Sequence, residues 1–174
     1  MNTLNRCLIC HPHPSGKGSA VRFELYPARG AVAGRIMVEI APQKSAASAA
    51  GEVPVFVMFD WSRALRVKLC ASDLAQVAMV FRGMQESIAD GKGLFHRTQT
   101  ANTVFKFAHM IEPRPGYLLE VSIRPHDGEL ATVHFIFRPE EAVWLSLAIE
   151  ASMGVIVFGV PCAVTDSELA ELTR

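Results

Sequence analysis

Leu65-Arg66-Val67-Lys68-Leu69 alternates apolar and basic residues, and a few positions later Leu74, Val77, Ala78 and Phe81 recur three or four apart. A period of two marks a strand with one face in the core, and a period near 3.6 marks a helix with one apolar stripe. Between the two runs, Ser72 and Asp73 offer side-chain oxygens of the kind that start helices, and Gly83 follows the last apolar position. Residues 65–83 therefore read as a strand running into a helix.

The flanks extend this unit. Upstream, Ser19 to Arg29 sets Val21, Phe23 and Leu25 against Arg22, Glu24 and Tyr26, and Arg35 to Ile40 repeats the alternation with Ile36, Val38 and Ile40 inward after Gly30 and Gly34. A Ser/Ala loop over 45–51 leads to Val53–Phe59, which reads as a third strand, and Asp60-Trp61-Ser62-Arg63 reads as a tight connection into the fourth. Downstream, the turn at Asp90-Gly91-Lys92-Gly93 is followed by four more strand patterns, Leu94–Thr98, Thr103–Ile111, Tyr117–Arg124 and Ala131–Phe137. Pro139 with Glu140 and Glu141 then opens a second helix, with proline tolerated in the first turn and carboxylates at the positive end of the dipole. Four strands and a helix occur twice, with little residue identity between the halves. The expectation is a single α+β domain over 16–160, made of two four-stranded antiparallel sheets and two helices. An amino-terminal extension over 1–15 and an acidic tail over 161–174 complete the chain.

Half of the 174 residues are hydrophobic, enough to bury a core and to exclude a disordered chain. The 17 basic and 17 acidic side chains cancel, but not locally. Residues 1–70 carry nine basic and four acidic groups, a net of +5, whereas residues 139–174 carry one against six, a net of −5. A basic first part suggests a polyanionic partner. The start of the chain lacks the apolar stretch of a secretory signal, so a cytoplasmic protein with its four cysteines reduced is expected. Ala142 to Val164 is long enough to cross a bilayer, yet Glu150 near its centre and the interruptions at Gly154, Gly159 and Pro161 favour a core helix, with no membrane partner. So apolar a helix needs covering by the rest of the domain or by another subunit.

Candidate chemistry is sparse. Cys7, Cys10, His11 and His13 have ligand-like spacing, but four tetrahedral ligands from seven consecutive residues around two prolines are sterically strained, so no metal or other cofactor is expected. His96, His109, His126 and His134 are scattered, and Lys17 in Ser15-Gly16-Lys17-Gly18-Ser19 lacks the full phosphate-loop spacing and precedes a strand. No catalytic residues emerge, and the chain does not read as an enzyme. What remains is a set of cations on strands whose other face is apolar: Arg22, Arg66, Lys68, Lys106 and Arg124, with Lys17, Arg63, Lys92 and Arg97 in adjoining turns or strand ends. Such sheets can follow a phosphate backbone while bases stack on aromatics, for which Tyr26, Phe56 and Phe95 are placed.

The order of elements and three local stretches resemble the Whirly family of plant single-stranded DNA-binding proteins, whose wider superfamily includes kinetoplastid mitochondrial guide-RNA-binding proteins. Phe59-Asp60-Trp61-Ser62-Arg63 is similar to the family's aromatic-Asp-Trp-Ser-Arg turn, Lys17-Gly18-Ser19-Ala20-Val21 to its Lys-Gly-Lys-Ala-Ala segment, and Glu140 to Phe158 to its carboxyl-terminal helix. The resemblance implies two roughly perpendicular sheets, with the helices at the centre of a homotetramer. It also implies single-stranded nucleic acid, DNA ahead of RNA, bound with little sequence preference in transcription regulation or DNA maintenance. Carried over by position, Lys17, Gly18 and Ala20 join the binding set with Trp61 and Arg63. Ser19 stands where the family has the lysine associated with assembly beyond tetramers. The alternative reading is an oligomeric scaffold of the same fold without nucleic-acid binding.

Overall fold

The computed structural model of the protein describes residues 6–44 and 57–159. Its first sheet runs β1 (Arg6–His11), β2 (Ser19–Tyr26), β3 (Arg35–Pro42) and β4 (Leu65–Leu69) in sequence order, and α1 (Ala71–Phe81) follows. The second sheet runs β5 (Leu94–Arg97), β6 (Ala101–Met110), β7 (Gly116–Pro125) and β8 (Ala131–Phe137), again in sequence order, and α2 (Pro139–Phe158) follows. Every neighbouring pair is antiparallel. The expected α+β architecture of four strands and a helix, twice, is the one present.

The first sheet recruits a different strand from the expected one. Arg6–His11, read from sequence as part of an extension, is the edge strand β1, in register with β2 from Arg6 opposite Glu24 to His11 opposite Ser19. Its inward positions are Cys7, Ile9 and His11, so the alternation that builds it is written in residues that do not look like a strand core. Of the expected strand Val53–Phe59, residues 53–56 lie outside the described residues, and Phe59 makes a single antiparallel bridge to Gln43. The expected acidic tail over 161–174 and the candidate aromatic Phe56 also lie outside the described residues. The first helix begins slightly before Ser72: Cys70 is its cap residue, and Asp73 sits one turn in, its carboxylate accepting the Cys70 N–H at 2.9 Å.

The core forms where the inner sheet faces and the helices meet. Val21, Val38 and Val67 from the first sheet, Phe105, Leu119 and Phe135 from the second, and Leu74, Leu145 and Ile149 from the helices are all buried in one cluster. Phe135 and Phe137 pack at 4.8 Å between ring centroids, and His11 stacks on Phe135 at 4.4 Å, which fastens the edge strand β1 to the second sheet. Apolar burial of this kind contributes roughly 25 cal/mol per Å² removed from water.

The two helices are buried to different degrees. α1 puts Leu74, Val77 and Val80 into the core, and its exposed positions are Ser72, Ala75 and Met79. α2 buries Ala142, Leu145, Ile149 and Ile156, yet Val143 and Leu147 are each 62% exposed and Phe158 is 89% exposed. By length and composition α2 could cross a membrane, but one side of it is docked in the core and Glu150 pairs with Arg82 at 3.0 Å. Its far end is held by backbone contacts: the Gly34 and Ala28 N–H groups donate to the carbonyls of Ile156 and Val155 at 3.2 Å. A Cβ on Gly34 would lie 2.6 Å from the Ile156 backbone, so only glycine permits this approach.

Candidate nucleic-acid interface

Cross-strand register arranges the outer face of the first sheet. Arg22 on β2 lies opposite Glu39 on β3, which lies opposite Arg66 on β4. Glu39 is buried and takes both cations: one carboxylate oxygen accepts from Arg22 Nε at 2.6 Å and also from its Nη2, and the other lies 2.5 Å from Arg66 Nε. Trp61 covers the cluster, its ring 4.5 Å from the Arg22 guanidinium carbon, a cation–π contact. Trp61 is positioned by the single 3-10 turn Trp61–Arg63, which Asp60 caps by accepting from the Ser62 N–H at 3.2 Å and the Ser62 hydroxyl at 2.5 Å. That hydroxyl bond holds the Asp60 carboxyl below the usual carboxylate range. Arg63, at the end of the turn, is exposed.

A groove of about 520 Å³ opens beside this cluster, where the outer edge of β4 meets the β5–β6 turn. Arg66 and Lys68 line it from the first sheet and Arg97 from the second, with Met37 between them. Asp73 and His96, 3.6 Å apart, line the same groove. Three of the cations expected from sequence thus converge from two sheets, and no spacing along the chain foretells that.

The segment from Lys17 to Ala20 divides differently. Lys17 is exposed, Gly18 is half-buried and Ala20 is fully buried. A Cβ on Gly18 would lie 2.2 Å from Gln43 Oε1 and 2.4 Å from the His11 carbonyl oxygen. The Gln43 side-chain amide fills that place, accepting from the His13 N–H at 2.8 Å and the Gly18 N–H at 3.1 Å and donating to the His13 carbonyl at 3.0 Å. Gly18 and Ala20 therefore hold the β1–β2 connection in shape, which leaves Lys17 as the group of this segment able to reach a ligand.

On the second sheet, Lys106 lies opposite Glu120 and pairs with it at 3.1 Å, and Glu120 lies opposite His134. Arg97 and Arg124 flank Asn102 in one cross-strand row at the end of this sheet. Lys92 is exposed in the turn before β5, and Phe95 is 62% exposed on the outer face, where its ring is open to stacking. Tyr26 is covered by the Arg35 guanidinium at 4.7 Å.

Strand geometry separates the residues of the metal alternative. On β1, Cys7 and His11 point inward and Cys10 points outward, while His13 lies beyond the strand and bonds Ser15 Oγ at 2.7 Å. Among the described residues, no group of three His, Cys, Asp or Glu side chains is gathered to hold a metal ion. Burial also pushes the Cys7 and Cys10 thiols up, away from the thiolate form that binds metal.

Sequence reasoning missed Glu39, Gln43 and the Asp73/His96 pair. Glu39 has the outward parity of a surface carboxylate, and only the register of three strands reveals that two arginines bury it.

No protein-family profile and no curated protein matches the chain. Solved structures do. WHY1 from Arabidopsis thaliana superposes with a TM-score of 0.67 at 16% identity, covering 97% of this chain and 95% of that one. The chain has the Whirly fold. WHY3 from Arabidopsis thaliana shares the Whirly fold with a TM-score of 0.63 at 16% identity, over 95% of this chain and 97% of that one. The plant transcriptional regulator PBF-2 gives 0.62 at 18% identity, over 96% and 93%.

Proposed function

We propose that the protein binds single-stranded nucleic acid, DNA ahead of RNA, with little sequence preference, and that it does so as a homotetramer serving transcription regulation or DNA maintenance. The observation that carries the binding reading is the groove at the sheet junction, where Arg66, Lys68 and Arg97 converge. Cations spaced along a groove neutralise successive phosphates whatever the bases, and the exposed ring of Phe95 is a platform for stacking. Arg22 and Trp61 act as the buttress of the groove, and Arg63, Lys17, Lys92, Lys106 and Arg124 as outlying phosphate contacts. The fold shared with a transcriptional regulator agrees with this reading.

The assembly part of this reading draws on α2. Val143, Leu147 and Phe158 form an apolar face that the described residues leave exposed, and exposed apolar faces of this kind mark interaction sites. Helices packed together at the centre of a homotetramer would bury it and leave the sheets outward.

The test is a gel-shift panel of single-stranded DNA, single-stranded RNA and duplex at two salt concentrations. Three neutralised phosphates predict a slope of log affinity on log salt of about −2 for a single strand. Equal binding at both concentrations would exclude the mechanism. The second reading, a scaffold that binds no nucleic acid, draws on one observation: Glu39, Glu120 and Asp73 already offset Arg22, Arg66, Lys106 and the groove. A tetrameric sample that shifts no oligonucleotide would favour it.

A further inference from the structure

A second cleft, of about 380 Å³, lies away from the groove, between the β1–β2 connection, the β6–β7 turn and β8. Three permanent cations line it, Lys17, Arg114 and Arg138, together with His11, His13 and His134. None of its lining residues is a carboxylate. The groove differs in this respect, since Asp73 lines it and Arg66 is tied to Glu39. Among the described residues no ion pair involves Lys17, Arg114 or Arg138, whereas Arg6, Arg22, Arg66, Arg82 and Lys106 each have a glutamate. Glu141, which does not line the cleft but bonds two residues that do, is engaged: one oxygen lies 2.7 Å from His11 Nε2 and the other accepts the Arg138 N–H at 2.9 Å.

Two of the walls are tied together. Gln43 ties down the His13 and Gly18 backbone, Ser19 Oγ donates to the His134 carbonyl at 2.9 Å, and His11 is stacked on Phe135. Between the cations, proline rings and the 40%-exposed Ile136 supply an apolar surface. A preformed concave site with convergent unpaired cations beside apolar walls suits a ligand that has a doubly charged phosphate at one end and a flat, weakly polar body at the other. The volume is at the small end for ligand pockets, the size of one such unit rather than of a run.

We propose that this cleft binds a single 5′-phosphorylated nucleotide, presented either as the terminus of a strand or as the free monophosphate. Choosing a nucleotide over other phosphorylated ligands rests on the nucleic-acid reading above; the anion site itself rests on the unpaired cations. A terminal phosphate carries one more negative charge than an internal one, which makes a strand end the better partner for three cations that have no carboxylate among them.

Fluorescence anisotropy compares a 5′-phosphorylated oligothymidylate with its 5′-hydroxyl twin on the full chain, and calorimetry measures thymidine 5′-monophosphate against thymidine. The 5′-phosphate is expected to tighten strand binding about tenfold, the scale of one or two screened charge-assisted hydrogen bonds. An Arg114→Gln/Arg138→Gln variant, both sites being exposed, should abolish that preference and leave the 5′-hydroxyl strand bound as before. Lys68→Gln/Arg97→Gln, in the groove, should weaken both strands and keep their ratio. A gain with the phosphorylated strand alone identifies the strand end as the source, and binding of the monophosphate without a strand preference identifies the free nucleotide. Equal affinity for the two strands together with no binding of the monophosphate overturns the proposal while leaving the strand-binding reading standing. Monophosphate binding by a protein that shifts no strand would have the opposite consequence.

Discussion

The two halves of the molecule solve the same problem with the same register and different chemistry. In each sheet the third strand carries an outward glutamate between two basic groups, Arg22–Glu39–Arg66 in the first and Lys106–Glu120–His134 in the second. In the first sheet both partners are arginines, which hold a fork geometry and stay charged, and Trp61 roofs the cluster, so Glu39 is buried. In the second, Lys106 reaches Glu120 as an ordinary half-exposed pair. The helices differ in the opposite sense: α1 follows the clamped sheet and exposes one large apolar side chain, Met79, at 37%, whereas α2 follows the open sheet and leaves Val143 and Leu147 each 62% exposed. The architectural repeat thus separates two tasks. The first half builds a clamped charged surface beside the groove, and the second contributes a helix with an exposed apolar face.

The sharpest way to break this comparison is Leu147→Glu. A charge at the centre of an apolar helix–helix interface is too costly to bury, so the variant should sediment as a monomer with its helical circular dichroism intact; a tetramer would show that α2 is not the interface. Next in size is Glu39→Ala, which leaves Arg22, under Trp61, and Arg66 without their shared carboxylate. Urea unfolding should show a loss of about 3 kcal/mol, the scale for one partner removed from a largely buried pair. In the groove, Arg66→Gln/Lys68→Gln should lower single-strand affinity about tenfold at low salt across all sequences, and the salt slope should fall by about 1.4. Smallest is Glu120→Ala, which removes the corresponding carboxylate of the second sheet and should change stability by less than about 1 kcal/mol. Equal losses for Glu39→Ala and Glu120→Ala would erase the distinction between the sheets.

Much of this was legible in the sequence. Seven of the eight strands announced themselves by alternation, and Pro139, Glu140 and Glu141 marked the start of α2. The eighth did not, because Cys7 and His11 occupy inward positions where a branched apolar residue would have been recognised; His11 is held there by stacking against Phe135 and by the Glu141 carboxylate, both far along the chain. The cations of the candidate interface were legible as types and as parities. Their grouping was not: Arg66 and Lys68 meet Arg97, and Lys17 meets Arg114 and Arg138, across separations that no periodicity encodes.

The sequence alone determined what β2 to β8 would turn inward, since a period of two leaves one choice of face once the apolar residues are given, and it determined that α2 would be too apolar for solvent. The tertiary structure decided which charges remain available. Pairing depends on register between strands and on where the sheets meet. Register made Glu39 the shared partner of Arg22 and Arg66, and the meeting of β1–β2 with β8 gathered Lys17, Arg114 and Arg138 around one cleft with no ion pair among the described residues. Charge is a property of residues, but free charge is a property of their neighbours, and those are fixed only when the sheets close on the core.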